Sequence, residues 1–68
     1  MKVIAKDRTR INLENCTDWA RNGNQIQFFT TGIEEPIGSL SFADDYDAIA
    51  ALAIIDEFCC NLELFCQL

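Results

Sequence analysis

The segment WARNGNQIQF, residues 19–28, predicts a β-hairpin at the centre of the fold. Asn-Gly is the preferred pair at the centre of a two-residue turn, because both residues tolerate positive φ. With the turn centred on Asn22-Gly23, Trp19 faces Ile26 across the hairpin and Thr17 faces Phe28. One face of the hairpin is then apolar and the other is largely polar, as a sheet that is covered on one side requires.

Working outward from the hairpin, alternating polar and apolar residues predict strands over about 10–21 and 24–30. The first of these is either one long strand or two pieces that are broken near Asn15. Shorter strands are predicted over about 2–6 and 37–42. Gly38 either weakens the last strand, or marks a bulge or a close backbone approach.

A helix is predicted over about 44–65, with either Ser41 or Asp44 as its N-cap. Asp44, Asp45 and Asp47 place negative charge at the positive end of the helix dipole. Steps of three and four residues define the face that packs on the sheet, formed by Ala48, Leu52, Ile55, Cys59, Leu62 and Cys66. Residues 62–68 also alternate as a strand would, which leaves an edge strand or an exchanged strand as the alternative for this segment.

These elements predict a single α+β domain over residues 1–68. We expect a four-stranded antiparallel sheet, with one C-terminal helix packed on its apolar face. The predicted core consists of Ile4, Ile11, Leu13, Trp19, Ile26, Phe28, Leu40, Phe42, Leu52, Ile55, Phe58 and Leu62.

Charge is distributed unevenly along the chain, which carries a net charge of −6. All five Lys and Arg residues lie within positions 1–21, whereas positions 22–68 contain eight Asp or Glu and no basic residue. A phosphate backbone would be repelled over most of such a surface, so we do not expect duplex nucleic acid as a partner.

The residues favour a non-enzymatic binding protein. Histidine is absent, and no glycine-rich phosphate loop or serine-nucleophile motif is present. We expect an acidic surface to bind a basic protein partner through Glu34, Glu35, Asp45, Asp56, Glu57 and Glu63. The alternative is an oligomeric protein that binds and sequesters a small anion or nucleotide through Lys6, Arg8, Arg10 and Arg21.

A second apolar line on the predicted helix lies away from the sheet-facing residues. Its members are Ile49, Ala53, Cys60 and Leu64. A helix that is apolar on two sides is usually covered on both, so we expect a homo-oligomer, most simply a dimer, built on this line.

The four cysteines lack the close spacing of a zinc site, and they are expected to pack as thiols in a cytoplasmic protein. We expect no metal and no cofactor. No apolar run reaches the ~18 residues of a membrane span, so we expect no membrane association.

The chain resembles short proteins of bacteriophages and mobile elements. The resemblance rests on the strand around residues 11–15, on Trp19 before the Asn22-Gly23 turn, on Leu40-Ser41-Phe42, and on the Asp-rich helix start. It implies an inhibitor of a host or defence system, one that binds a protein or sequesters a small signal molecule.

Overall fold

The computed structural model describes residues 1–68 and has α+β architecture. Its elements, in chain order, are strands β1 (Val3–Lys6) and β2 (Thr9–Asn12), a 3-10 turn (Leu13–Asn15), strands β3 (Asp18–Asn22), β4 (Gln25–Phe29) and β5 (Gly38–Ser41), helix α1 (Asp45–Cys59) and strand β6 (Phe65–Gln67).

The strands form two three-stranded sheets, so the prediction of a single four-stranded sheet is wrong. The first sheet has the order β2-β1-β6, and the second has the order β3-β4-β5. The segment predicted as one strand over 10–21 is divided by the 3-10 turn, where Asn12 Oδ1 accepts a hydrogen bond from the Glu14 backbone N–H at 3.1 Å. Leu13 is buried at this break. The turn connects β2 of the first sheet to β3 of the second, and so leads the chain from one sheet to the other.

The hairpin forms as predicted, but its register differs by two residues. Trp19 lies opposite Phe28, and Arg21 lies opposite Ile26. The turn is centred on Gly23 and Asn24, with positive φ at Gly23 alone, which is the position that a type II′ turn gives to glycine. Since a shift of two residues keeps every side chain on its own face, the predicted apolar face is preserved.

Helix α1 begins as predicted but ends earlier than residue 65. Asp44 is the N-cap, and its Oδ1 accepts a hydrogen bond from the Asp47 backbone N–H at 2.8 Å. The helix ends at Cys59, and Cys60 is its C-cap. Residues 65–67 instead form the edge strand β6, parallel to β1, so the strand alternative for the C-terminal segment is the observed one.

The core lies between α1 and the two sheets, and most of its predicted members are buried. The fully buried or nearly buried apolar residues are Ile4, Ala5, Ile11, Leu13, Ile26, Phe28, Leu40, Ala48, Ala51, Ile55 and Phe58. Trp19, Phe42 and Leu52 are only partly buried against this cluster. Leu62 is 95% exposed, contrary to prediction, because the helix ends before it reaches that position.

Gly38 brings the two sheets into direct contact. A Cβ atom added at this position would lie 2.7 Å from Cδ1 of Ile11, which belongs to the other sheet. Of the possibilities raised by the sequence, the close approach is therefore the one that the fold uses.

Candidate functional site

Helix α1 presents an exposed apolar surface on the side that does not face the core. Every residue between Asp47 and Asp56 is apolar, whereas only one side of the helix packs inward. The residues that remain exposed on the other side, which we name the apolar strip, are Tyr46, Ile49, Ala50, Ala53 and Ile54. Ile49 and Ile54 each leave about half of their surface accessible, at 51% and 48%. Helix α1 is therefore apolar on two sides, and the chain itself covers only one of them.

The residues predicted to build an oligomer do not lie on one helix. Ile49 and Ala53 belong to the apolar strip, and Cys60 follows at the exposed C-cap. Leu64 lies beyond the helix, where its carbonyl accepts a hydrogen bond from the Val3 backbone N–H at 2.9 Å. All four residues are exposed, but the helix that was expected to connect them ends at Cys59.

All six acidic residues predicted to bind a partner are exposed, but they do not form one cluster. Asp45 lies near the turn of the β3–β4 hairpin, 4.0 Å from the position of a Cβ at Gly23. Glu34 and Glu35 lie in the β4–β5 connection, at the opposite end of the second sheet.

Asp56, near the C-terminal end of α1, is the one of these six acids that a side chain anchors to a sheet. Its Oδ1 accepts a hydrogen bond from the Trp19 indole Nε1 at 2.9 Å. Trp19 in turn packs against Phe28, with the ring centroids 6.2 Å apart. This contact attaches the end of the helix to the second sheet.

Glu57 and Glu63 are brought together at a small surface pit of about 140 Å³ beside the end of α1. The pit is lined by Ile54, Glu57, Phe58, Asn61, Glu63 and Cys66. Its apolar lining comes from the helix and from β6, and Ile54 also belongs to the apolar strip. The pit therefore continues the strip and carries two carboxylates at its rim.

The segment that holds Glu63 is fixed by local hydrogen bonds and by a distant lysine. Asn61 Oδ1 accepts a hydrogen bond from the Glu63 backbone N–H at 3.1 Å. Lys2 Nζ donates to the carbonyls of Phe58 at 3.0 Å and Cys59 at 2.8 Å, and also to that of Asn61. A cation bound to the last helical carbonyls stabilises the negative end of the helix dipole, so Lys2 helps to define where α1 stops.

The thiol of Cys66, which lines the pit, has a raised pKa. Burial raises the pKa of its thiol, and the negative charge of Glu63 raises it further. The Glu63 carboxylate therefore acts on the same small space that the Cys66 thiol lines. Burial likewise raises the pKa of the Cys16 thiol, which also packs against the core cluster.

The four basic residues of the alternative hypothesis are not gathered at one point. Lys6 and Arg10 point to opposite faces of the first sheet, since Lys6 alternates with Ala5 on β1 and Arg10 pairs with Ala5. Lys6 forms an ion pair with Asp7 at 3.0 Å. Arg21 lies on the second sheet, where its Nη1 donates to the carbonyl of Gly23 at 2.8 Å.

Arg10 nevertheless borders the larger of two surface cavities, of about 250 Å³. The other lining residues are Ile11, Asn12, Asn15, Cys16 and Ile37. The guanidinium of Arg10 lies over the ring of Phe65, 5.9 Å from its centroid. This groove has one cation and uncharged neighbours, which is a sparse arrangement for a phosphate-bearing ligand.

The cysteines are all free thiols, and two of them are exposed: Cys59 and Cys60. Cys16 and Cys66 pack against the core cluster, as small apolar residues do. The structure contains no group of three or more Cys, Asp or Glu side chains placed to hold a metal ion. None of its helices has the length and apolar character needed to cross a bilayer.

Comparison of the chain with protein family models, with curated proteins and with solved structures found no match.

The pit is the feature that sequence reasoning missed. Glu57 and Glu63 are six residues apart, and a continuous helix would point them about 120° away from each other. They approach the same pit because the helix ends between them and the chain turns back toward β1. The signal in the sequence was the strand-like alternation of residues 62–68, which disagreed with the helical pattern.

Proposed function

We propose that this chain is a small non-enzymatic binding protein that contacts a basic protein partner through the apolar strip and the carboxylates around it. The observation that carries the proposal is the half-exposed state of Ile49 and Ile54 on a helix whose residues 48–55 are all apolar. Covering such a surface removes apolar area from water, at a gain of roughly 25 cal/mol per Å² before the costs of association.

Charge favours a basic partner over a second copy of this chain. The strip has Asp45 and Asp47 at one end and Asp56 and Glu57 at the other. Pairing two copies of α1 across a two-fold axis would bring carboxylates of one copy toward carboxylates of the other. A partner with Lys or Arg around an apolar ridge would instead be attracted at both ends. We infer that such a protein acts by occupying its partner's surface, as an inhibitor of a host or defence protein would.

The proposal is tested with matched aspartate substitutions at two equally exposed isoleucines. Ile49 is 51% exposed on the strip, and Ile33 is 53% exposed in the β4–β5 connection. The wild-type, Ile49→Asp and Ile33→Asp proteins are immobilised, and proteins retained from a cell extract are identified by mass spectrometry. We expect a basic protein that is retained by the wild type and by Ile33→Asp, is lost with Ile49→Asp, and is released at raised salt.

Two results would contradict this function. Retention that is equal on the two variants would show that the strip is not the contact surface. Sedimentation of the wild type as a dimer and of Ile49→Asp as a monomer would show that a second copy covers the strip, which was the expectation from the sequence. Circular dichroism of each variant controls for loss of folding.

A further inference from the structure

We propose that the pit beside the end of α1 is a socket for one arginine side chain of the protein partner. This inference rests on the proposed function and names the group that the partner inserts. The pit is lined by Ile54, Phe58 and Cys66 on its apolar part, and by Glu57, Asn61 and Glu63 on its polar part.

The size of the pit selects a single side chain rather than a free small molecule. Its volume of about 140 Å³ is well below the ~300 Å³ at which ligand pockets begin. Its apolar part offers a surface for a long aliphatic stem chiefly at Ile54, which leaves about half of its surface uncovered. Basic side chains bury such stems against apolar surface and keep the charged end at the rim.

The two carboxylates that line the pit are not paired with a cation of the chain. Glu57 and Glu63 have no cationic nitrogen within 4 Å, since the ion pairs of the protein are formed by Glu14 with the N-terminus and by Asp7 with Lys6. The Lys2 ammonium donates to the carbonyls of Phe58 and Asn61, which also line the pit, and to that of Cys59, so it is held by backbone carbonyls and by neither carboxylate. Lys2 is thus committed to the helix end, and both carboxylates remain available.

Arginine suits this arrangement better than lysine does. Two carboxylates can accept several hydrogen bonds from one cation, and a guanidinium presents five N–H donors in a fixed fork. Guanidinium is also more weakly hydrated than ammonium, so it loses less hydration free energy when it enters a partly apolar site. Arginine is accordingly one of the residues that most often anchor a protein interface.

The pit adjoins the apolar strip, which is the proposed contact surface. Ile54 belongs to both, and Ala50 lies one helical turn before it on the strip. Exposed Leu62 and Leu64, at 95% and 64%, lie in the segment that carries Glu63. A partner segment laid along α1 would therefore bury apolar side chains on the strip and place a basic side chain at the pit.

The test uses N-acetyl-L-arginine amide as a probe, titrated against the ¹⁵N-labelled protein by heteronuclear NMR. N-acetyl-L-citrulline amide, which has the same shape and no charge, is the matched ligand control. We expect saturable shifts in the millimolar range at the amides of Glu57, Asn61, Glu63 and Cys66, with a clearly weaker response to the citrulline probe.

Variants that replace Glu by Gln identify the carboxylates that bind the probe. In Glu57→Gln/Glu63→Gln we expect the affinity for the arginine probe to fall about tenfold, since two exposed ion pairs are lost. Glu34→Gln/Glu35→Gln changes the net charge by the same amount in the β4–β5 connection, and it should leave the affinity unchanged. Unaltered dispersion of the spectra controls for folding.

The socket is overturned if the citrulline probe binds as well as the arginine probe, if the two double variants weaken binding equally, or if no saturable shift occurs at the pit. This experiment is independent of the Ile49 substitution. An Ile49-dependent partner without arginine binding at the pit would remove the socket and keep the proposed function. Arginine binding at the pit without any Ile49-dependent partner would keep the pit as an arginine site and would remove the proposed function.

Discussion

Replacing Gly38 by alanine tests the contact between the two sheets. Gly38 does not have positive φ, so an alanine there meets no conformational penalty of the left-handed kind. The cost arises from space, because the new Cβ would lie 2.7 Å from Ile11 Cδ1, whereas carbon atoms in contact are ordinarily about 3.5–4.0 Å apart. Ile11 is 8% exposed, so its side chain must move about 1 Å within a packed core.

The expected loss of stability follows from two opposing effects. Overpacking of a core typically costs about 1–3 kcal/mol, and Gly→Ala returns about 0.4–1 kcal/mol by restricting the unfolded chain. We expect Gly38→Ala to lower the free energy of unfolding by about 1–2 kcal/mol. For a domain of this size, that corresponds to a fall in Tm of about 4–16 °C.

A double-mutant cycle with Ile11→Val isolates the contact. Valine lacks the Cδ1 atom, so the double variant should be more stable than the two single changes predict by about 1 kcal/mol. Urea unfolding is followed through the fluorescence of Trp19, the single tryptophan. Gly32→Ala is the control, since Gly32 has φ +85° with no atom within 4 Å, and its cost should be additive with that of Ile11→Val. A coupling below about 0.3–0.5 kcal/mol at Gly38 would refute the reasoning.

Three further predictions concern the C-terminal end of α1 and the pit. Lys2→Met should lower the free energy of unfolding by about 1 kcal/mol, because the last helical carbonyls lose their cation, and thermal unfolding measures the change. Trp19→Phe should be destabilising, because the indole hydrogen bond to Asp56 is lost. A double-mutant cycle of Trp19→Phe with Asp56→Ala should give a coupling free energy of about 0.5–1.5 kcal/mol. At pH 8 the Cys66 thiol, whose pKa is raised, should react with a disulfide reagent more slowly than the two exposed thiols at the helix end. Glu63→Gln should lower that pKa and speed the reaction of Cys66, and an unchanged rate would show that the carboxylate does not act on the pit.

The hairpin shows how far local sequence could determine the fold. The Asn22-Gly23-Asn24 stretch predicts the turn, and the alternation on either side predicts which residues face the core. Turns centred on Asn22-Gly23 and on Gly23-Asn24 are both compatible with these residues, and they give the same two faces. The observed register places Trp19 opposite Phe28 and lets Asn24 hydrogen-bond to both backbone groups of Phe42 at 2.8 Å. Those contacts join residues that are distant in sequence, so the turn by itself could not select between the registers.

The candidate site was predictable in part for the same reason. Exposed apolar residues on α1 follow from a helical stretch without polar residues, and Ile49 and Ala53 were identified from spacing alone. The pit was not predictable, because it exists only where the chain leaves the helix and returns to β1. Leu68 N–H donates to the carbonyl of Ala5 at 2.7 Å, which shows how the end of the chain is held by its beginning.

By itself the sequence determined the α+β class, the hairpin and its apolar face, the start of the helix near Asp44 and the excess of acidic residues after position 21. Each depends on neighbours within a few positions along the chain, where turn preference, alternation, capping and charge act directly. Only the tertiary structure decided that there are two sheets, that α1 stops at Cys59 and that residues 65–67 pair with β1. In residues 62–68 the helical and strand patterns are both present, and backbone hydrogen bonds to a strand some sixty residues earlier favour the strand.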